Sequence, residues 1–268
     1  MRWVSCSVSM TVLGLGLAAC PSSSTPSSAA LVSEVKRALQ ERDKKLTSYH
    51  VVVESSQGEA KAKHEFFYRA PNHSRGTILE PEPMTLAFDG LRLFKETPKE
   101  QKLEAFDIKL SPENAAYFLA STFTPFVPEG FRTPLLPSKG VTAKKTTHPW
   151  ASEAVEVTVA VEEATVVWVL RWPSGDVLSK RVGATELRVD AELCDEALQL
   201  CVPKLVTQRT GEAVEATTSL TRIELNTPIP NDFFTLKATE GFHVVKQELV
   251  EPKSDEPVAQ KADASWAP

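Results

Sequence analysis

Glycine is scarce in this chain of 268 residues, with only 11 in all. No Gly-x-Ser-x-Gly elbow and no glycine-rich phosphate loop is present, which removes two common ways of presenting a nucleophile or cradling a nucleotide. Histidine is thin too: His50, His64, His73, His148 and His243 lack metal-ligand spacing. Basic clusters are missing, and 30 Lys and Arg stand against 35 Asp and Glu, a balance that speaks against nucleic acid as a partner. The paired acids Glu153/Glu156 and Glu162/Glu163 fall on strands or at strand ends, where solvated edges explain them. The residues therefore point away from an enzyme, with no catalytic group, no metal and no cofactor expected.

Other features are distinctive. Met1-Arg2 is a short positive start, and residues 4–17 form an apolar core too short to span a bilayer comfortably, so residues 1–19 read as a secretory signal. The segment ends in Leu17-Ala18-Ala19-Cys20, which resembles the lipobox of bacterial lipoproteins. The resemblance implies lipidation of Cys20, palmitate among its acyl groups, and a chain held at the membrane by its N-terminus; more than one acyl chain makes such an anchor stable. Residues 21–30 contain only Pro, Ser, Thr and Ala, so residues 20–30 read as lipidated cysteine plus flexible tether. Pro21 takes the place of the Asp that retains lipoproteins in the inner membrane of enteric bacteria. The expected location is the outer membrane, facing the periplasm.

Four cysteines are present, but Cys6 leaves with the signal and Cys20 is consumed by lipid. Cys194 and Cys201 remain, in an oxidising compartment. A metal site lacks ligands, since no His lies between residues 148 and 243, and a redox pair expects closer spacing. A structural disulfide is the favoured reading; closing this short loop stabilises by roughly 2.5 kcal/mol on a chain-entropy account.

Periodicity orders the rest. Leu31, Val35, Ala38, Leu39 and Leu46 fall on one side of a helix. Alternating and β-branched runs predict strands over 49–55, 61–69, 74–79, 84–88 and 91–96, with Asp89-Gly90 as a hairpin turn. Ser111 and Pro112 look like the cap and first position of a second helix whose apolar side holds Ala115, Phe118, Leu119 and Thr122. Pro125, Pro128, Pro134 and Pro137 then forbid regular structure. Strands resume from 154, through 166–171, 177–182, 198–208 and 213–225. Residues 251–268 read as a disordered tail. The expected fold is mainly β with helices: a single large curved antiparallel sheet, a half-barrel of about 10–11 strands, whose concave face is covered by helices. Several strands are apolar on both sides, as Phe66-Phe67 and Val51-Val52-Val53 illustrate. Such a sheet is either covered on both faces or lines a cavity.

In this order, the chain resembles the LolA/LolB lipoprotein-carrier superfamily over about residues 31–247. Phe67-Tyr68-Arg69-Ala70-Pro71-Asn72 resembles the family's strand ending in Arg-x-Pro, and Leu86-Ala87-Phe88-Asp89-Gly90-Leu91-Arg92-Leu93-Phe94 its Asp-Gly hairpin. Asn226-Thr227-Pro228-Ile229-Pro230-Asn231-Asp232-Phe233-Phe234 and Glu240-Gly241-Phe242-His243-Val244-Val245 resemble its closing phrases. The resemblance implies a LolA/LolB-like domain over 31–250 that binds lipid or lipoprotein acyl chains without catalysis, in lipoprotein sorting or lipid handling at the cell envelope. It makes Val51, Val53, Phe66, Tyr68, Leu86, Phe88, Phe118, Trp168, Leu170 and Trp172 candidate cavity lining. The alternative is an envelope sensor or scaffold of the RseB-like type, which binds a protein partner and has a filled core or an exposed groove. The anchor at Cys20 and the added Cys194/Cys201 pair set this chain apart from the soluble carriers.

Overall fold

A computed structural model describes residues 28–134, 136–161 and 164–251. The expected signal, Cys20, most of the tether, the tail beyond 251 and the Glu162/Glu163 pair lie outside the described residues. Helix α1 spans Ser28–Lys45, so the last three residues assigned to the tether are helical. Strands β1 (Ser48–Gln57), β2 (Ala60–Arg69), β3 (His73–Glu80), β4 (Met84–Phe88), β5 (Arg92–Thr97) and β6 (Lys102–Lys109) follow as a meander. Helix α2 (Pro112–Phe123) and an irregular connection lead to β7 (Val141–His148), β8 (Ala151–Val161), β9 (Ala164–Arg171), β10 (Val177–Val182), β11 (Thr185–Asp195), β12 (Leu200–Thr210) and β13 (Ala213–Leu225). The last strand is β14 (His243–Val250).

All fourteen strands form one sheet, in the order β14-β6-β5-β4-β3-β2-β1-β13-β12-β11-β10-β9-β8-β7. The two meanders join where β1 pairs with β13, Tyr49 opposite Leu225 and Val51 opposite Ile223. Every pairing is antiparallel except β14 on β6. The sheet does not close into a barrel, as expected of a mainly β fold with helices, but it has more strands than the ten or eleven expected. The additions are β6, β7 and β11. Strands β6 and β7 mix charge into both faces, as in Lys-Leu-Glu-Ala-Phe-Asp-Ile-Lys of β6, so no alternation announces them, whereas β11 alternates in sequence from Thr185 to Glu192 and is legible. Strand β7 is an edge and carries Lys144 and Lys145, a usual way of discouraging further pairing.

The turns follow local chemistry. Gly90 has φ +96°, and the Asp89 carboxylate accepts from the amides of Leu91 at 3.0 Å and Arg92 at 2.8 Å. Ser111 caps α2 by accepting from the Asn114 amide at 3.4 Å, with Pro112 at its first turn. Asn226, in the left-handed region at φ +54°, pins three elements together. Its side chain accepts from the Thr47 amide at 2.9 Å and donates to the Lys45 carbonyl at 2.7 Å, and its own amide donates to Ser48 O at 2.8 Å.

Both sheet faces are covered. On one, α1 packs Leu31, Val35 and Leu39 on Val155, Val157 and Val159 of β8 and Leu170 of β9. On the same side α2 and the turn after it bring Phe123 and Phe126 onto Val51, Val53 and Phe66. The other face is covered by the segment before β14, where Leu236 and Phe242 pack on Ala87, Phe94 and Leu103. Phe233 meets Phe67 edge-on at 4.6 Å, and the Arg75 guanidinium lies over the Phe233 ring at 4.6 Å.

Candidate functional site

The helix-covered face holds two clusters of different texture. Around α1 the buried side chains are valine, leucine and alanine with Trp168. Around α2 they are aromatic: Tyr49, Phe66, Phe88, Phe123, Phe126 and Phe131. Flat rings touch at several angles. Tyr49 meets Phe66 at 5.8 Å, Tyr68 at 5.2 Å and Phe131 at 5.1 Å, all tilted.

A cavity of about 250 Å³ opens beside these rings. Its apolar wall is Leu46, Tyr49, Phe66, Tyr68, Val127 and Phe131; Asp43, Ser74, Arg132 and Thr133 supply its polar groups. The sequence makes this space in two ways. The connection after α2 folds back because Gly130 takes φ +84°, where a Cβ would meet the Pro203 ring at 2.6 Å. Phe131 is thereby buried at 3 % exposure as one wall. Gly76 of β3 lacks the Cβ that would meet the Phe126 ring at 2.4 Å, so Phe126 lies flat on the sheet and bounds the cluster.

The ends of the wall are held by polar contacts. Arg132 Nη1 donates to Ala120 O at 2.9 Å and to Thr124 Oγ1 at 3.2 Å, tying the connection to the end of α2. The Thr133 hydroxyl donates to the Asp43 carboxylate, tying the same connection to α1. Deeper lies an ion pair. Arg42 Nε donates to Asp176 Oδ1 at 3.2 Å, with side chains only 1 % and 2 % exposed, and Arg42 Nη2 donates to Gly130 O at 2.5 Å. The Ser174 hydroxyl donates to Asp176 at 2.7 Å. One arginine thus ties α1, the β9–β10 turn and the connection together. Arg42 falls on the apolar side of α1, where hydrophobic spacing gave no reason to look; its one sequence signal is that it continues the Leu31, Val35, Leu39 stripe.

Burial pushes the Tyr49 phenol well above its ordinary range and raises Tyr68 less. Both hydroxyls are therefore neutral. His64, whose Nε2 donates to Phe126 O at 3.1 Å, is held below the ordinary imidazole range, first by burial.

Of the residues expected to line a cavity, Val51, Val53, Phe66 and Phe88 are core members of the aromatic cluster, and Tyr68, Leu86 and Phe118 pack against it. Phe66 and Tyr68 border the cavity. Trp168 and Leu170 belong to the aliphatic cluster, away from it, and Trp172 packs against that cluster and borders a second hollow of about 210 Å³ beside α1. Asp43, Leu46, Tyr49, Ser74, Val127, Phe131, Arg132 and Thr133 were not foreseen; they sit on α1, on strand ends and in the proline-rich connection, whose course periodicity does not give.

The remaining candidates resolve simply. Cys194 and Cys201 face each other across β11 and β12 and are disulfide-bonded, so neither offers a thiolate to a metal. His50 lies on the opposite sheet face, with Nε2 at 2.6 Å from Glu65 and Nδ1 at 3.1 Å from Glu224, and stacks on Phe67 at 3.9 Å. Both ring nitrogens are engaged, which leaves none for a substrate. Glu156 pairs with Lys144 at 2.8 Å, the solvated strand position expected of it. Among the described residues, no helix is long and apolar enough to cross a membrane.

No protein-family model matches the chain, and no curated protein matches it. Solved structures are similar to it over most of their own length. An outer membrane lipoprotein-sorting protein domain from Vibrio parahaemolyticus is similar over 75 % of this chain and 97 % of its own, at 9 % identity and TM-score 0.45. A DUF1329 family protein from Desulfovibrio piger has the same coverage, with 8 % identity and TM-score 0.46. A LolA superfamily protein from Nitrosomonas europaea is similar over 75 % and 97 % of the two chains, at 9 % identity and TM-score 0.43.

Proposed function

We propose that this protein is a membrane-anchored lipoprotein of the cell envelope that binds an acyl chain, of a lipid or of another lipoprotein, in the aromatic cavity without catalysis. The observation that carries the reading is the cavity itself: about 250 Å³ walled by Leu46, Tyr49, Phe66, Tyr68, Val127 and Phe131 on the helix-covered face of an open sheet. Apolar walls of this kind reward burial of a hydrocarbon chain by about 0.8 kcal/mol per methylene. Small-molecule sites usually run from about 300 to 1,000 Å³. The cavity suits part of one chain and not several. The phrases around Arg69-Ala70-Pro71, Asp89-Gly90 and Asn226 that resemble LolA/LolB carriers support the same reading, and the lipobox resemblance at Cys20 supports the anchor and an outer-membrane location.

One observation favours the second reading, an envelope sensor or scaffold that binds a protein. Val51, Val53 and Phe66 are filled over by Phe123 and Phe126, so most of the wide pocket expected beneath the helices is packed core. Native mass spectrometry separates the two. The full chain carrying Cys20→Ser, purified from a lipid-rich host that forms disulfides, is expected to carry a non-covalent acyl species and to take up a fluorescent fatty acid saturably. A ligand-free spectrum with no uptake sinks the acyl reading and leaves the scaffold. The wild-type chain is expected to label with palmitate and fractionate with outer membranes, and the Cys20→Ser chain to do neither.

A further inference from the structure

The second hollow, of about 210 Å³ beside α1, has no part in acyl binding. Glu34, Ala38, Glu41 and Lys45 recur at three- and four-residue intervals, so one stripe of α1 forms its first wall. Trp172, Pro173 and Ser174 of the β9–β10 turn form the second. The turn comes this close because Gly175, at φ +78°, has no Cβ; one would lie 3.3 Å from the Leu39 side chain.

Arg42 lines the same hollow and is 1 % exposed. Its Nε donates to Asp176 and its Nη2 to Gly130 O, but Nη1 is buried with no hydrogen-bond partner among the described residues. A charged donor left unmatched in the interior is costly, and an acceptor oxygen supplied from the hollow would remove that cost. The surrounding charges select an anion of low charge. The Arg42–Asp176 pair and the Lys44–Glu41 pair cancel, which leaves Arg37 and Lys45 against Glu34, one positive charge in excess. A dianion would meet Glu34 and Glu41 across the same small space. Ala38 and the half-buried Trp172 add an apolar patch, which an inorganic ion would leave unused. The negative end of the α1 dipole lies nearby, so affinity is modest, about millimolar.

We infer that this hollow is a binding site for a small monocarboxylate with a short apolar body, one carboxylate oxygen accepting from Arg42 Nη1 and the body against Trp172. The site is independent of the acyl reading, since the hollow and the aromatic cavity share no lining residue.

Sodium butyrate, titrated at fixed ionic strength into the full chain carrying Cys20→Ser, tests it by nitrogen NMR of the Trp172 indole, whose signal is identified by its loss in Trp172→Phe. The signal is expected to move saturably with butyrate. Butyramide, a neutral analogue of the same size, should bind at least about tenfold more weakly, the worth of a hydrogen bond to a charged group. Inorganic phosphate should bind no better than butyramide. Arg37→Gln/Lys45→Gln, both on the helix surface, should weaken butyrate about three- to tenfold with the thermal midpoint little changed. Arg42→Leu/Asp176→Leu removes the donor without stranding its partner and should abolish the shift. No saturable shift with butyrate, equal binding of butyramide, phosphate as the tightest ligand, or unchanged affinity in the Arg37→Gln/Lys45→Gln chain overturns the inference.

Discussion

The two ends of the sheet solve the same problem with different side chains. Where α1 lies on β7 to β10, the interface is aliphatic: Val155, Val157 and Val159 alternate inward from β8 and meet Leu31, Val35 and Leu39. Branched side chains of similar size interdigitate there, and a hollow of about 210 Å³ beside α1 is lined largely by charged and polar groups, among them Glu34, Arg37, Glu41, Arg42 and Lys45. Where α2 and the connection lie on β1 to β4, the interface is aromatic, and Tyr49, Phe66, Phe123, Phe126 and Phe131 meet at tilted angles. Rigid rings cannot fill every gap, and a cavity of about 250 Å³ remains beside them. The lesson is that residue shape, more than apolar content, decides which half of an evenly hydrophobic sheet has room for an apolar guest.

The sharpest way to break that contrast is to remove one large side chain from each half. Phe126→Ala should cost about 3–5 kcal/mol and Leu170→Ala about 2–5 kcal/mol, read by urea unfolding. Their effects on acyl binding should differ: Phe126→Ala enlarges space continuous with the aromatic cluster and should change uptake of a fluorescent fatty acid, whereas Leu170→Ala should leave it unaltered. Equal changes in uptake would erase the distinction between the halves.

Arg42 joins the two halves, because its partners Asp176 and Gly130 belong to the β9–β10 turn and to the connection bounding the cavity. Arg42→Leu leaves the buried Asp176 carboxylate with only the Ser174 hydroxyl at 2.7 Å and the Arg171 guanidinium at 3.8 Å, and should cost about 3 kcal/mol. The double change Arg42→Leu/Asp176→Leu should cost clearly less than the two single changes added together. Additive losses would mean that the pair is not a unit.

Gly76→Ala probes the aromatic half more gently. The added methyl meets the Phe126 ring, so a loss of about 1–3 kcal/mol is expected, and a Phe126→Leu background should recover part of it. The smallest effect is one of pH. Burial holds His64 below its ordinary value near 6.5, so its neutral form is the one that folding favours. Its contribution is fully present above that value and is lost as pH falls below it towards the lowered folded value. Chemical unfolding of His64→Gln against wild type across this window should show the variant losing less stability on acidification.

The sequence announced some of these features and concealed others, for physical reasons. Strands that alternate, such as Val155 to Val161, and turns with one chemical solution, such as Asp89-Gly90, are legible because a single residue pattern satisfies them. Strands β6 and β7 are hidden because charges fall on both of their faces, whereas β11 alternates in sequence from Thr185 to Glu192 and could be read from it. The cavity was half legible. Phe66 and Tyr68 stand out as inward residues of a clear strand, but Phe131 and Val127 reach the same space from a connection whose path depends on Gly130 and its contact with Pro203. Trp168 and Leu170 look equally suited to line a pocket, and only the position of α1 removes them from it.

The central claim is that the aromatic half binds an acyl chain in the cavity beside Phe131, and filling that cavity tests it most directly. Val127 is a half-buried wall residue, so Val127→Trp should occupy the space with little loss of thermal midpoint. Titration with a fluorescent fatty acid is expected to show saturable binding by the wild type and at least about tenfold weaker binding by the variant, the scale of one well-buried contact. Unchanged binding by a folded Val127→Trp protein, or no saturable binding by the wild type, would contradict the account.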